Sequence, residues 1–208
     1  FLQGTVPYRY IPALSISLFL SANEDDIRQA ACAGYPAGYV LKSSHIDDPE
    51  DTELRIAFDF DGVIADDESE TVYQQSKNID QFHAHEQENV NKPHNPGLLK
   101  ELLAKLSAIQ KLEESKYQQD PSYKPRLRIS IVTARNAPSH ERVINTMRSW
   151  GITVNEAFFL GGIEKKKVLD VLKPHIFFDD QKTHLLPVSS TLPSVHIPFG
   201  SINAAPRP

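Results

Sequence analysis

The chain has 208 residues, 40% of them hydrophobic and 24% charged, with 22 Lys+Arg against 27 Asp+Glu and a formal net charge of −5. That length holds one domain with a full core, or a domain plus a small cap, and the acidic balance excludes the basic footprint of a nucleic-acid-binding surface while leaving room for a small phosphorylated substrate. The single cysteine, Cys32, excludes an intrachain disulfide and fits a reducing, cytoplasmic compartment.

Ile11 to Leu20 is the longest mainly apolar run, too short to span a bilayer and interrupted by Pro12 and two serines, so no membrane partner is expected. Within it, Leu14 to Leu20 alternates serine with apolar residues and predicts a strand. Ser21-Ala-Asn-Glu-Asp-Asp26 supplies a cap and acids for a helix N-terminus, and the helix is predicted to reach Ala33 and stop at Gly34. Ala37 to Leu41 predicts the next strand, which completes a βαβ unit, and the polar stretch from Lys42 to Glu53 predicts a loop.

Four further apolar strands are predicted at Leu54–Phe60, Leu127–Thr133, Glu156–Leu160 and His175–Phe178, with a weaker one at Ser194–Ile197. Helical patterns at His140–Trp150 and Lys165–Leu172 separate the later ones. Short, nearly continuous apolar strands alternating with amphipathic helices predict an α/β fold with a doubly wound parallel sheet, whose sites gather at the carboxyl ends of the strands. Residues 65–126 interrupt this rhythm and are too long for a simple crossover. Asp66–Gln87 is polar and partly helical, Leu98–Glu114 has strong helical periodicity, and Glu113–Arg126 reads as a polar loop. The segment is expected to form a small helical cap inserted after the first catalytic strand, with residues 1–64 and 127–208 as the core.

The chemistry lies at the strand ends. Ile56-Ala-Phe-Asp-Phe-Asp-Gly-Val-Ile64 closes a strand with two carboxylates, Asp59 and Asp61, which point to one side because they are two residues apart. Like charges so close repel, unless a cation or phosphate chemistry uses them. The other strand ends offer Thr133, the lysines of Gly161-Gly-Ile-Glu-Lys-Lys-Lys167, and Asp179 with Asp180. Each has a plainer use alone: Thr133 or the Asp179-Asp180 pair as a helix cap, and the lysines as a solvated helix face. Together on successive strands they match the needs of phosphoryl transfer. These are carboxylates for Mg²⁺, an in-line nucleophile, a hydroxyl and a lysine for the equatorial oxygens, and an acid for the leaving alkoxide.

The order Asp-Phe-Asp-Gly-Val, Val-Thr-Ala-Arg, lysine, Phe-Phe-Asp-Asp resembles the haloacid dehalogenase superfamily of phosphatases. Within it, residues 54–70, Asn91-Lys-Pro93, Arg148-Ser-Trp-Gly151, His175–Gln181 and His196–Gly200 resemble the cytosolic 5′-nucleotidase family of type I, AMP-preferring enzymes and their bacterial relatives. Phe60 and Gly62 depart from that family, which usually has glycine and alanine there, and follow the commoner superfamily pattern. The resemblance implies a Rossmann-like core and Mg²⁺-dependent hydrolysis of nucleoside 5′-monophosphates through an aspartyl-phosphate. It implies Asp59 as nucleophile and Asp61 as general acid/base whose carbonyl helps bind Mg²⁺. It further implies Thr133, Ala134 and Lys165 on the phosphate, with Lys166 and Lys167 as alternative registers, and Asp179 and Asp180 at the metal. Ser69, Glu70, Lys92, Arg135, Asn136 and His184 are candidate substrate contacts, and a homo-oligomer is left open. The competing readings are a phosphatase of another small phosphomonoester, such as a sugar phosphate, and a non-catalytic nucleotide-binding relative. Phe60 points away from the catalytic pair and reads as core.

Overall fold

The computed structural model describes residues 6–203. The elements are β1 (Phe19–Ser21), α1 (Glu24–Cys32), β2 (Ala37–Val40), β3 (Leu54–Phe58), α2 (Glu68–Ser76), α3 (Ile79–Glu88) and α4 (Lys100–Gln119). They continue with β4 (Leu127–Thr133), α5 (His140–Ser149), β5 (Glu156–Phe159), α6 (Lys165–Leu172), β6 (Ile176–Asp179), α7 (Lys182–Leu185) and β7 (Ser194–His196). The strands form one seven-stranded sheet in the order β1-β2-β7-β6-β3-β4-β5. All pairs are parallel except β2–β7, so the β1-α1-β2 unit joins the sheet running against the other five strands.

Alternation along the strands builds a core on each face. Ile56, Phe58, Ile129 and Ile131 pack on one side with Leu99 and Leu103 beside α4 and with Val143 and Met147 of α5. Ala57, Val132 and Phe177 face the other side, against Leu169 of α6 and Leu185, Val188 and Leu192. Strands covered on both faces carry apolar residues at nearly every position, hence the uninterrupted runs in the sequence. Leu103 is fully buried. Leu103→Ala is therefore expected to cost about 2–5 kcal/mol of unfolding free energy, read from the urea midpoint at unchanged slope.

Two predicted elements differ. Most of Leu14–Leu20 is not a strand: Leu14 N–H donates to Tyr10 O at 3.0 Å, Ile16 N–H to Ile11 O at 3.0 Å, and Ser15 takes φ 51°. A turn, not a pleat, accounts for the serine spacing there. The helix predicted to end at Glu114 continues to Gln119, because its polar last turns are held by local pairs such as Gln118 to Glu114 and meet no breaker before Asp120-Pro121. Glu113 then clasps the returning chain, accepting from the Tyr123 hydroxyl at 2.9 Å, Arg126 N–H at 3.0 Å and Leu127 N–H at 3.1 Å. α4 lies within the segment 65–126 yet packs on β4. The pair α2–α3 stands apart from the sheet, broken at Lys77 (φ 51°) and restarted by Asn78, whose side chain caps α3.

Candidate active site

β3 and β4 are neighbours, and β6 flanks β3 on its other side, so the carboxyl ends of the three strands meet where the chain changes direction across the sheet. Asp59 follows β3 directly; its N–H donates to Phe178 O at 2.8 Å, and its Oδ1 accepts from the Phe60 N–H at 2.7 Å. Phe60 is fully buried, in keeping with its reading as a core residue that points away from the catalytic pair. The chain then turns, with Ile64 and Ala65 N–H donating to Phe60 O and Gly62 at φ 68°. A Cβ on Gly62 would run into the Asp180 carboxylate, so glycine is needed for both conformation and approach.

Lys165 opens α6 and is 3% exposed. Its Nζ lies 2.9 Å from Asp59 Oδ2 and 2.7 Å from Asp179 Oδ2, which singles it out from Lys166, whose Nζ pairs with Asp170 at 2.8 Å on the surface. Asp179 also accepts from Gln181 N–H at 2.8 Å and has His184 Nδ1 at 3.2 Å. Burial pushes Asp59 up to about 6, with the charges of Asp179 and Asp61 adding and Lys165 opposing. Burial pushes Asp180 up to about 10, reinforced by Asp59 and Asp179. Burial works the same way on Asp179, but Lys165 and His184 outweigh it and hold that carboxyl below its usual value.

Asp61 is held from the other side. Arg135 Nε donates to Asp61 Oδ2 and Nη2 to Oδ1, both at 2.7 Å, a bidentate pair. Arg135 Nη1 reaches Glu86 of α3, which also accepts from the Ser69 hydroxyl at 2.8 Å and Arg142 Nη1 at 2.9 Å. Burial alone would pull the Arg135 pKa down; Asp61 and Glu86 carry it up instead. Burial also opposes the charge on Glu86, yet His94 and Arg135 hold it well below the carboxylate range. α2 and α3 are thus tied to the core by charge-assisted hydrogen bonds whose groups are nearly all paired.

A cavity of about 350 Å³ opens over these strand ends. It gathers Asp59, Asp61, Thr133, Ala134 and, of the candidate substrate contacts, Glu70, Arg135, Asn136 and His184. Ser69 and Lys92 do not line it: Ser69 is buried against Glu86, and Lys92 is exposed, its carbonyl accepting from Arg142 Nε at 3.0 Å. Tyr73, Ile79 and Phe82 form an apolar wall that sequence reasoning missed. The signal was present, since Tyr73 and Phe82 are the two Tyr, Phe or Trp residues in the mainly polar stretch 66–87. The Glu86–Arg142 pairing carried no comparable signal.

The carboxylates fit a metal ion. Asp59, Asp179 and His184 each offer a ligand atom within 4.8 Å of the others, and the buried Asp180 Oδ1 has no hydrogen-bond partner among the described residues. Three buried carboxylates around one ammonium leave negative charge that a hard divalent cation would neutralise. Among the described residues, no helix is long and apolar enough to cross a membrane.

A family model described as 5′-nucleotidase matches residues 1–204. Cytosolic 5′-nucleotidase 1B of Homo sapiens is 33% identical over 183 residues, 88% of this chain and 29% of the relative. The chain therefore spans less than a third of the length of that curated relative. A solved structure titled "Structure of Pnkp1/Rnl/Hen1 complex" is similar at TM-score 0.45 and 11% identity, over 77% of this chain and 51% of the other. The match over nearly the whole sequence, with the identity to the human protein, shows that the chain belongs to the 5′-nucleotidase family.

Proposed function

We propose that the protein is a Mg²⁺-dependent phosphomonoesterase that hydrolyses nucleoside 5′-monophosphates to nucleoside and phosphate. The observation that carries the reading is Lys165 Nζ, 2.9 Å from Asp59 Oδ2, beside Thr133 and Asp61 at one rim of the sheet. Asp59 attacks phosphorus in line, and the phosphoryl group moves to its carboxylate as the O5′–phosphorus bond breaks. Asp61 gives a proton to the departing O5′, then takes one from the water that opens the aspartyl-phosphate. Lys165, the Thr133 hydroxyl and the Ala134 amide hold the equatorial oxygens as their charge spreads. Asp59, Asp179 and the Asp61 carbonyl, with Asp180 in support, would hold Mg²⁺, which would supply charge neutralisation at the phosphate. The cap that closes over the substrate is the pair α2–α3. Its apolar wall favours a nucleoside over a bare sugar phosphate, which has no flat face to cover.

The human relative's name and the lone free thiol, Cys32, support a cytoplasmic setting. A panel of phosphomonoesters with and without EDTA tests the proposal. Nucleoside 5′-monophosphates are expected to turn over fastest, with activity lost in EDTA and restored by Mg²⁺. Faster turnover of sugar phosphates than of every nucleotide would remove the nucleotidase reading.

A further inference from the structure

We infer that Glu70 reads the sugar hydroxyls of the substrate, which makes it a specificity residue; this rests on the nucleotide reading of the same cavity. Glu70 lies on α2, half-buried, on the cavity wall it shares with Asp59 and Asp61. Its Oε1 accepts from Gln74 one turn along the helix, and its Oε2 has no protein donor among the described residues. A carboxylate facing a cavity that must admit a phosphate dianion adds repulsion, unless the ligand brings hydrogen-bond donors to it. Burial raises the Glu70 pKa, the Gln74 hydrogen bond opposes it, and the charge of Asp61 raises it further.

The wall is ordered in the way a nucleotide is. The phosphate-directed groups Asp59 and Thr133 are 4% and 1% exposed, at the floor. Tyr73 and Ile79, at 36% and 52% exposed, line the mouth, and Tyr73 packs edge-on to Phe82 with ring centroids 6.3 Å apart. Glu70, intermediate in burial, lines the same cavity one helical turn before Tyr73. In a nucleoside 5′-phosphate the sugar separates the phosphate from the planar base. A base against Tyr73 and Phe82 and a phosphate at Asp59 leave the ribose beside Glu70. The ribose edge offers hydroxyl donors, and a carboxylate accepts from vicinal hydroxyls with both oxygens.

The test compares kcat/KM for a ribonucleoside 5′-monophosphate and its 2′,3′-dideoxy analogue in the parent, Glu70→Ala and Glu70→Gln, with folding checked by circular dichroism. The parent is expected to prefer the ribonucleotide by about 10–100-fold, as expected for a site with a polar group left unpaired by the wrong substrate. Glu70→Ala should bring that ratio to within about threefold, mainly by lowering kcat/KM for the ribonucleotide, with Glu70→Gln in between. Equal losses on both substrates in Glu70→Ala, or no discrimination in the parent, would overturn the inference while leaving the nucleotidase reading in place. Turnover of other phosphomonoesters with none of either nucleotide would overturn both.

Discussion

Asp59→Asn is expected to abolish phosphomonoester turnover and, in metal-free protein at neutral pH, to raise stability. The loss should reach on the order of 10⁴-fold or more in kcat, the scale seen when a covalent nucleophile is removed, and no phosphoenzyme should form in a rapid quench with labelled substrate. Unchanged activity in this variant would sink the mechanism.

The stability gain follows from the sign of the Asp59 shift. Its pKa moves from 3.8 to about 6, so the folded protein binds this proton more tightly than the unfolded chain does. Below 3.8 both states are protonated and nothing is lost. As pH rises through the window up to about 6, folding becomes less favourable, and above it the whole penalty, about 3 kcal/mol, applies. An asparagine carries no charge and keeps an acceptor for the Phe60 N–H, but loses the contact with Lys165, which retains Asp179 at 2.7 Å. The net gain should therefore be about 1–3 kcal/mol near pH 7 and vanish near pH 4, read by urea unfolding in EDTA. A variant less stable than the parent at pH 7 would show that Lys165 outweighs burial at this residue.

The strand ends were legible because a parallel sheet turns sequence order into spatial proximity. Asp59, Thr133, Lys165 and Asp179 each lie at or just beyond an element boundary, and apolar runs mark those boundaries within a residue or two. Strand limits were less sharp: β3 stops at Phe58, since Asp59 and Phe60 already belong to the turn that Gly62 completes. Leu14–Leu20 misled because alternating serines satisfy a strand pattern and a serine-rich turn equally well.

The network behind the site is of another kind. Glu86 lies in a helix whose polar composition matches an ordinary solvated face, yet it is 1% exposed. Its partners Ser69, Arg135 and Arg142 are 17, 49 and 56 residues away, and only tertiary packing brings them together. Arg135 was legible as a polar residue near the site but not as the clamp on Asp61, since a bidentate pair depends on guanidinium orientation and not on spacing.

Lys165→Met and Lys166→Met should separate the first two of three adjacent lysines, Lys165, Lys166 and Lys167, whose register sequence alone did not fix. Among the described residues Lys165 is the sole ammonium in contact with Asp59 and Asp179, so its loss leaves buried carboxylates facing one another. Breaking a buried pair from one side costs about 3–5 kcal/mol, expected here in EDTA at pH 7. The cost should shrink as pH falls, because protonation of Asp59 removes part of the exposed repulsion, and Mg²⁺ should restore part of it at neutral pH. Turnover should fall by about 10²–10³-fold as one cation on the transferring phosphoryl is lost. Lys166 pairs with Asp170 four residues along α6, with side chains 41% and 54% exposed, a contact that solvent screens to a few tenths of a kcal/mol. Its variant should keep parental turnover and melting temperature. A larger activity loss in Lys166→Met than in Lys165→Met would move the phosphate-binding role to the next residue, and with it the register of α6 against β6.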